Sequence, residues 1–307
     1  MVSFELIVSF ASAARHASFA AAARELGLSP SAVAKNVARL EAQLGVRLFH
    51  RTTRQVSLSP DGETLYERCQ RILDEVESLD AAAAGARAEP RGTLRIDMPV
   101  VYGRLVLLPI LAKLRACYPQ LKIDARFSDQ FVDINLEGLD AAVRIGPLAD
   151  SRLVGRTFDQ QVLWCCASPD YIARHGHPRS PDELSAHTCL LFRMPSSGRD
   201  RPWQFRVGKR DCSVLPESAV RLGDGEALVA AAAAGMGLIQ VPSYMVEHEA
   251  GRGRLVEVLP RHRPAPLPIS LVYPSHRHIP LRVQAVAEAL AELHGTGRIA
   301  SWSGQPR

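Results

Sequence analysis

The chain has 307 residues, 47% of them hydrophobic and 22% charged, the balance of a globular protein of about two domains. No apolar run approaches the roughly 18 residues of a membrane span, and the opening Met-Val-Ser-Phe-Glu lacks the basic segment of a secretory signal, so no membrane is expected and the expected compartment is the cytoplasm. The net charge is +5, but residues 1–60 hold seven Lys and Arg against three Asp and Glu, residues 61–90 three against eight, and the remainder 27 against 21.

A basic head invites an anionic partner, nucleic acid first. Within it, Ile7, Phe10, Ala11 and Ala14 recur at helical spacing and predict a short amphipathic helix. Ser18 is the expected N-cap of a second helix over 19–26, and Gly27 the left-handed residue that ends it. Ser29 and Pro30 then supply a cap and a first-turn proline. The third helix places Val33, Val37, Leu40 and Leu44 on one face and Ser31, Lys35, Asn36, Arg39 and Gln43 on the other, and Gly45 closes it. Two short helices joined by a glycine turn, the second polar and basic outside, form a helix-turn-helix, whose second helix fits the DNA major groove. Arg51, Thr52, Thr53 and Arg54 make a turn before a strand through Val56 and Leu58, a basic wing placed for phosphates or the minor groove.

The run SFAAAARELGLSPSAVAKNVARLEAQLGVRLFHRTTRQVSLSPDGE resembles the N-terminal winged helix-turn-helix of LysR-type transcriptional regulators over about 45 contiguous residues. It departs from the family at Ala34, where members usually carry Ser, and at Pro30, where Gln is common. The resemblance implies a partner in double-stranded DNA, with Ser18, Ser29, Pro30, Ser31, Lys35, Asn36, Arg39, Arg51, Thr52, Thr53 and Arg54 as the candidate contacts.

Ser59, Pro60 and Asp61 repeat the cap, first-turn proline and dipole-matched acid of a helix start. Leu65, Cys69, Ile72, Val76 and Leu79 follow at spacings of four and three, a seam of about two heptads. Its periodicity suits pairing with an identical helix or packing on a domain surface. The family resemblance favours a homodimer through this linker helix, with a tetramer built as a dimer of dimers. Residues around 90 form a hinge.

Beyond it, strand and helix patterns alternate. Leu94, Ile96 and Met98 form a strand, 99–103 a loop, and Leu107, Leu108, Leu111 and Leu114 a helix. Strands follow at 123–127, 141–145, 163–167, 189–192, near 222 and at 269–273, with helices around 131–136, after 224 and over 280–293. This alternation predicts a parallel α/β sheet. After the head, the strings DAAVRIGPLADSRLVGRTF and GEALVAAAAAGMGLI resemble the effector-binding region of the same family, which is similar to type 2 periplasmic binding proteins. The expected fold class is therefore α/β: an all-α winged helix-turn-helix over 1–59, a long linker helix over 60–90, and a two-lobed effector domain over 91–307. Lobe one would span about 91–160 and 266–307, and lobe two about 161–265.

Ligands of such lobes sit at strand C-termini, facing helix N-termini that favour anions. This nominates Pro99, Val100, Val101, Tyr102, Phe127, Asp129, Arg144, Phe192, Arg193 and Gly237 for a small anionic inducer. Arg144 is either a bidentate carboxylate clamp or a surface or interlobe ion pair. Family members often carry Ser or Thr at 99–103; Val and Tyr here imply an apolar, aromatic acid.

HExxH, GxSxG, GxxxxGK and strand-following GxGxxG motifs are absent from the sequence, so no enzyme and no cofactor is expected. The six cysteines form no CxxC pair, which argues against zinc. Cys165 and Cys166 should point to opposite faces of a strand, while Cys189 and Cys212 could pair but are better read as buried thiols. The rival assignments are a transport solute-binding protein and a cleft enzyme without a DNA role.

Overall fold

The computed structural model describes residues 2–51, 56–83, 89–130, 133–134, 137–148, 153–195, 197–275 and 279–296. The chain divides into two compact units, Met1–Gly92 and Thr93–Arg307.

The first unit contains helices α1 (Phe4–His16), α2 (Phe19–Leu26) and α3 (Pro30–Leu44), strands β1 (Phe49–Arg51) and β2 (Val56–Leu58), and helix α4 (Pro60–Ala83). Ser18 accepts from the Ala21 N–H and Ser29 from the Ala32 N–H, each at 3.2 Å, so both expected N-caps satisfy an orphan donor. Gly27 and Gly45 take the left-handed conformation that stops α2 and α3. Leu6, Phe10, Ala22, Val33, Val37, Leu40 and Leu48 are buried together. Phe49 stands edge-on to Phe10 and Phe19, with ring centroids 5.6 and 5.4 Å away. β1 and β2 form an antiparallel hairpin with His50 opposite Ser57, and Ser59 caps α4 by accepting from the Gly62 N–H at 3.0 Å. A Cβ at Gly62 would stand 2.0 Å from the Leu48 carbonyl oxygen, so only glycine lets α4 seat on the head.

In the second unit β3 (Gly92–Met98) leads into three successive helical segments, α5 (Val100–Tyr102), a π turn (Gly103–Leu107) and α6 (Leu108–Cys117). β4 (Leu121–Phe127), β5 (Ala141–Ile145), β6 (Leu153–Gln161), β7 (Leu163–Ala167), α7 (Pro169–His175) and a 3-10 turn (Pro181–Ala186) follow. Next come β8 (Leu190–Phe192), β9 (Trp203–Val207), β10 (Arg210–Val214), β11 (Val220–Leu222), α8 (Gly225–Ala233), β12 (Ile239–Pro242), α9 (Ser243–Gly251), β13 (Val256–Val258), β14 (Leu267–Pro274) and α10 (Leu281–Thr296).

One sheet has the order β4-β3-β5-β14-β6. Its core joins Leu94, Ile96 and Met98 to Leu107, Leu111, Leu114, Leu271, Val286 and Leu290. The other lobe holds β12-β7-β13, the pair β8–β11 and the hairpin β9–β10. Cys165 packs into one of its cores and Cys166 into the other, opposite faces of β7 as alternation requires.

The expectation of a parallel sheet is corrected to a mixed one. β3 runs parallel to β5 and β8 to β11, but β14 is antiparallel to both β5 and β6. The chain leaves the first lobe along the edge strand β6 and re-enters between β5 and β6, so the returning strand reverses direction. The expected loop 99–103 is also corrected, because Val100 already begins helix. The helix expected around 131–136 falls largely outside the described residues.

Candidate nucleic-acid interface and effector cleft

α3 buries Val33, Asn36, Val37 and Leu40, and offers Ser29, Pro30, Ser31, Lys35, Arg39 and Gln43 to solvent. Ser29 and Ser31 share a hydrogen bond of 3.0 Å between their hydroxyls at the start of the helix. Ser18 is half-buried and used as a cap. Thr52, Thr53 and Arg54 lie outside the described residues, as does the side chain of Arg51.

Two sequence-based placements in α3 are corrected. Asn36 turns inward, and its amide donates to Ser9 Oγ at 3.0 Å and to Glu5 Oε1 at 3.3 Å. Its offset of three from Val33 and four from Leu40 places it on the packed side, so it is not on the outer face. Leu44, assigned to the buried face, is 39% exposed because the helix ends there. A second tie was not foreseen: Glu25 of α2 accepts from Ser12 of α1 at 2.5 Å and meets His16 at 3.0 Å and Arg15 at 3.3 Å. The Ser12 hydrogen bond, aided by Arg15 and His16 against the cost of burial, holds the Glu25 carboxyl below its usual range.

On α4, Leu65 and Cys69 pack against the head's own core together with Tyr66 and Leu73. Those two positions are therefore corrected from partner-facing to internal. Ile72, by contrast, is 44% exposed, Val76 is half-buried, and the Leu79 side chain lies outside the described residues.

In the second unit, the C-terminal ends of the parallel pairs define where a ligand would sit. Pro99, Val100 and Val101 are half-buried at the end of β3, and Asp129 is exposed beside them. The Val100 N–H donates to Asp129 Oδ1 at 3.0 Å. Phe127 is 39% exposed and its ring leans on Gly103, where a Cβ would be only 3.0 Å from it. Tyr102 is corrected from a cleft-lining to a buried residue. Its hydroxyl donates to Asp159 at 2.6 Å and its ring meets Tyr244 edge-on at 5.0 Å. Tyr244 in turn donates to Gln161 at 3.2 Å, and Arg104 forms an ion pair with Glu226 at the start of α8. These contacts tie α5 and the following turn to α8 and α9.

The remaining nominees separate. Arg144 is buried, its Nη1 2.6 Å from Asp97 Oδ2, so the expected cleft clamp or surface pair is corrected to a buried ion pair inside one lobe. Arg126 approaches the other Asp97 oxygen at 3.7 Å. Phe192 is half-buried at the end of β8, and Arg193 pairs with Asp200 at 3.1 Å. Gly237 is corrected: a Cβ there would lie 2.3 Å from the Thr188 carbonyl oxygen, at the opposite end of β8 from Phe192. Cys69, Cys165, Cys166 and Cys189 are buried, and Cys117 and Cys212 half-buried. Among the described residues no cluster of three or more His, Cys, Asp or Glu could hold a metal, and no helix is long and apolar enough to cross a membrane.

A helix-turn-helix with a basic outer face on one unit, and two α/β lobes meeting at strand C-termini on the other, define a DNA-binding transcriptional regulator with a ligand-binding unit. The comparisons agree. The profile for the bacterial regulatory helix-turn-helix protein, lysR family, matches residues 4–63, and that for the LysR substrate binding domain matches residues 87–295. The chain belongs to the LysR family of transcriptional regulators. It is 36% identical to the transcriptional regulator DmlR of Escherichia coli, over 91% of this chain and 90% of that one. It is 31% identical to the transcriptional activator AaeR of the same organism, over 94% and 96%. Among solved structures it is similar to CrgA, a LysR-type regulator from Neisseria meningitidis, with a TM-score of 0.61 and 30% identity over 95% of this chain and 99% of that one.

Proposed function

We propose that the chain is a cytoplasmic, sequence-specific regulator whose DNA binding is modulated by a small organic acid held between the two lobes, and that it performs no catalysis. Residues 1–59 form the reading head, 60–90 the linker and dimerisation helix, and 91–307 the effector domain, with lobe one over about 91–160 and 266–307 and lobe two over about 161–265. The observation that carries this is the division of α3, with Val33, Val37 and Leu40 packed inside while Ser29, Ser31, Lys35 and Arg39 are exposed on the outer side. Short hydroxyls near a helix N-terminus reach base edges, and cations further along meet phosphates. Arg51, Thr52, Thr53 and Arg54 add wing contacts. Ile72 supplies an apolar position for a second copy of the chain, and a homodimer, assembled further into a tetramer, brings two heads to one operator. Phe127, with the half-buried Tyr244, supplies aromatic surface beside Pro99, Val100 and Val101 for an aromatic acid.

Mobility shifts on genomic fragments test the reading. The full chain is expected to retain specific fragments, and the chain lacking residues 1–60 to retain none. Equal retention by both would show that DNA is not read by this head.

A further inference from the structure

We infer that Glu41 is the positioning residue of the wing: its carboxylate fixes the β1–β2 hairpin against α3, so that helix and hairpin engage one duplex together. This role rests on the reading of residues 1–59 as the DNA-binding head and adds what sets the geometry between its two contact elements.

The head carries three acids, Glu5, Glu25 and Glu41. An acid facing a phosphate backbone lowers affinity for DNA. Each of the three instead accepts hydrogen bonds from another element. Glu5 takes the Asn36 amide and Glu25 the Ser12 hydroxyl, ties that join helix to helix. Glu41 takes backbone N–H groups at the entry to β1. Its Oε1 accepts from the Leu48 N–H at 2.7 Å and from the Phe49 N–H at 3.4 Å.

The surrounding chain shows why an acceptor is needed there. Gly45 turns off α3 in the left-handed conformation, its N–H donating to the Glu41 carbonyl at 2.8 Å. Leu48 is fully buried, so its N–H requires a partner. Among the described residues β1 pairs with β2 alone, and no further strand supplies one. From the start of α4, Ser59 donates its N–H to the Leu48 carbonyl at 3.0 Å and its hydroxyl to the Arg47 carbonyl at 2.5 Å. Glu41 on α3 and Ser59 before α4 thus hold the same three residues, 47–49. Hydrogen bonds to an ionised acceptor are the stronger kind, so the tie to α3 is the firmer of the two. A hairpin held in one orientation to α3 meets the duplex without a further ordering cost. Lys35 and Arg39 on α3 and Arg51 at the end of β1 then act from one frame.

Mobility shifts of the full chain on a random-sequence duplex, over a series of salt concentrations, test this by double substitution. Glu41→Ala is expected to weaken binding about tenfold and to lower the salt slope by about 1, as Arg51→Ala does. Added to Arg51→Ala it should weaken binding by less than about twofold, because the contact it positions is already gone. Added to Lys35→Ala it should keep its full effect, because that contact lies on α3 itself. Glu41→Gln retains an acceptor oxygen and should bind within about threefold of the native chain. If Glu41→Ala does not fold, Glu41→Asp replaces it in the cycle, keeping the charge but withdrawing it by one carbon. The same effect in the Arg51→Ala and Lys35→Ala backgrounds would make Glu41 a stabilising residue only and overturn the positioning role. Native-like binding by Glu41→Ala or by Arg51→Ala would overturn it too. No retention of the duplex by the native chain at low salt would overturn it together with the DNA-binding reading.

Discussion

The side-chain amide of Asn36 donates to the Ser9 hydroxyl at 3.0 Å, linking α3 to α1 behind the face that meets solvent. Both residues are buried, at 8% and 1% exposure, so neither group has water to turn to if its partner is lost. Asn36→Ala is therefore expected to destabilise the head by about 1–3 kcal/mol, read as faster hydrogen exchange of α1 and α3 amides. The ratio of specific to random DNA affinity should stay unchanged. A lowered ratio with unchanged exchange would make Asn36 a base reader.

Lys35 and Arg39 are exposed on α3 with their charges toward solvent. Each phosphate contact removed lowers the slope of log affinity against log salt by about 1. Lys35→Ala and Arg39→Ala should each weaken binding to all sequences and show that change. Two unchanged slopes would place the backbone contacts elsewhere.

The Asp97–Arg144 pair is buried in the first lobe at 2.6 Å. Removing one partner strands a charge that the interior cannot solvate, so Arg144→Ala is expected to cost about 3–5 kcal/mol. Trp164 and Trp203 lie in this unit, and their fluorescence in denaturant reads its unfolding. Replacing both partners by apolar residues of similar volume should recover most of the loss. An Arg144→Ala chain of full stability that had lost effector binding would restore this arginine to the cleft.

Glu25 titrates below its usual value of 4.5, first because Ser12 donates to it. A depressed carboxyl stabilises fully above its unfolded value and loses that contribution as pH falls through the folded one. The head should lose stability as pH drops below 4.5, and Glu25→Gln should flatten that acid limb. Parallel acid limbs for the two chains would remove Glu25 from the account.

Cys69, Cys165, Cys166 and Cys189 are buried. Burial pushes their thiols up, Cys69 to about 11, Cys166 and Cys189 to about 12, and Cys165 well above its usual value. A thiolate is the reactive form, so native-state titration with a thiol reagent should label Cys117 and Cys212 first and the other four only on unfolding. Hydrogen peroxide should leave DNA retention unchanged. Rapid native labelling of Cys165 or Cys189 would contradict this burial.

The head was legible because its signals are local: Ser18, Ser29, Gly27 and Gly45 mark helix ends by their own chemistry, and the structure uses all four. What misled was side-chain direction within a correct helix. Asn36 is polar, yet its three-residue offset from Val33 fixes it inside, and periodicity outranked polarity. In the effector unit the direction of β14 depends on a chain return from another lobe, which no local pattern encodes. β6, with exposed residues between few buried ones, and the hairpin β9–β10 lack the clean alternation that would reveal them. Pro99 and Gly103 bracket Tyr102 as they would a loop residue, but the helix starting at Val100 turns it inward to Asp159.

The most direct test of the account is selection of DNA from random fragments by the full chain. It predicts enrichment of one motif, arranged as two half-sites about one helical turn or a multiple apart, and loss of that enrichment when Lys35 and Arg39 are both replaced by Ala. Recovery of unenriched fragments by the native chain, or the same motif from the doubly substituted one, would contradict it.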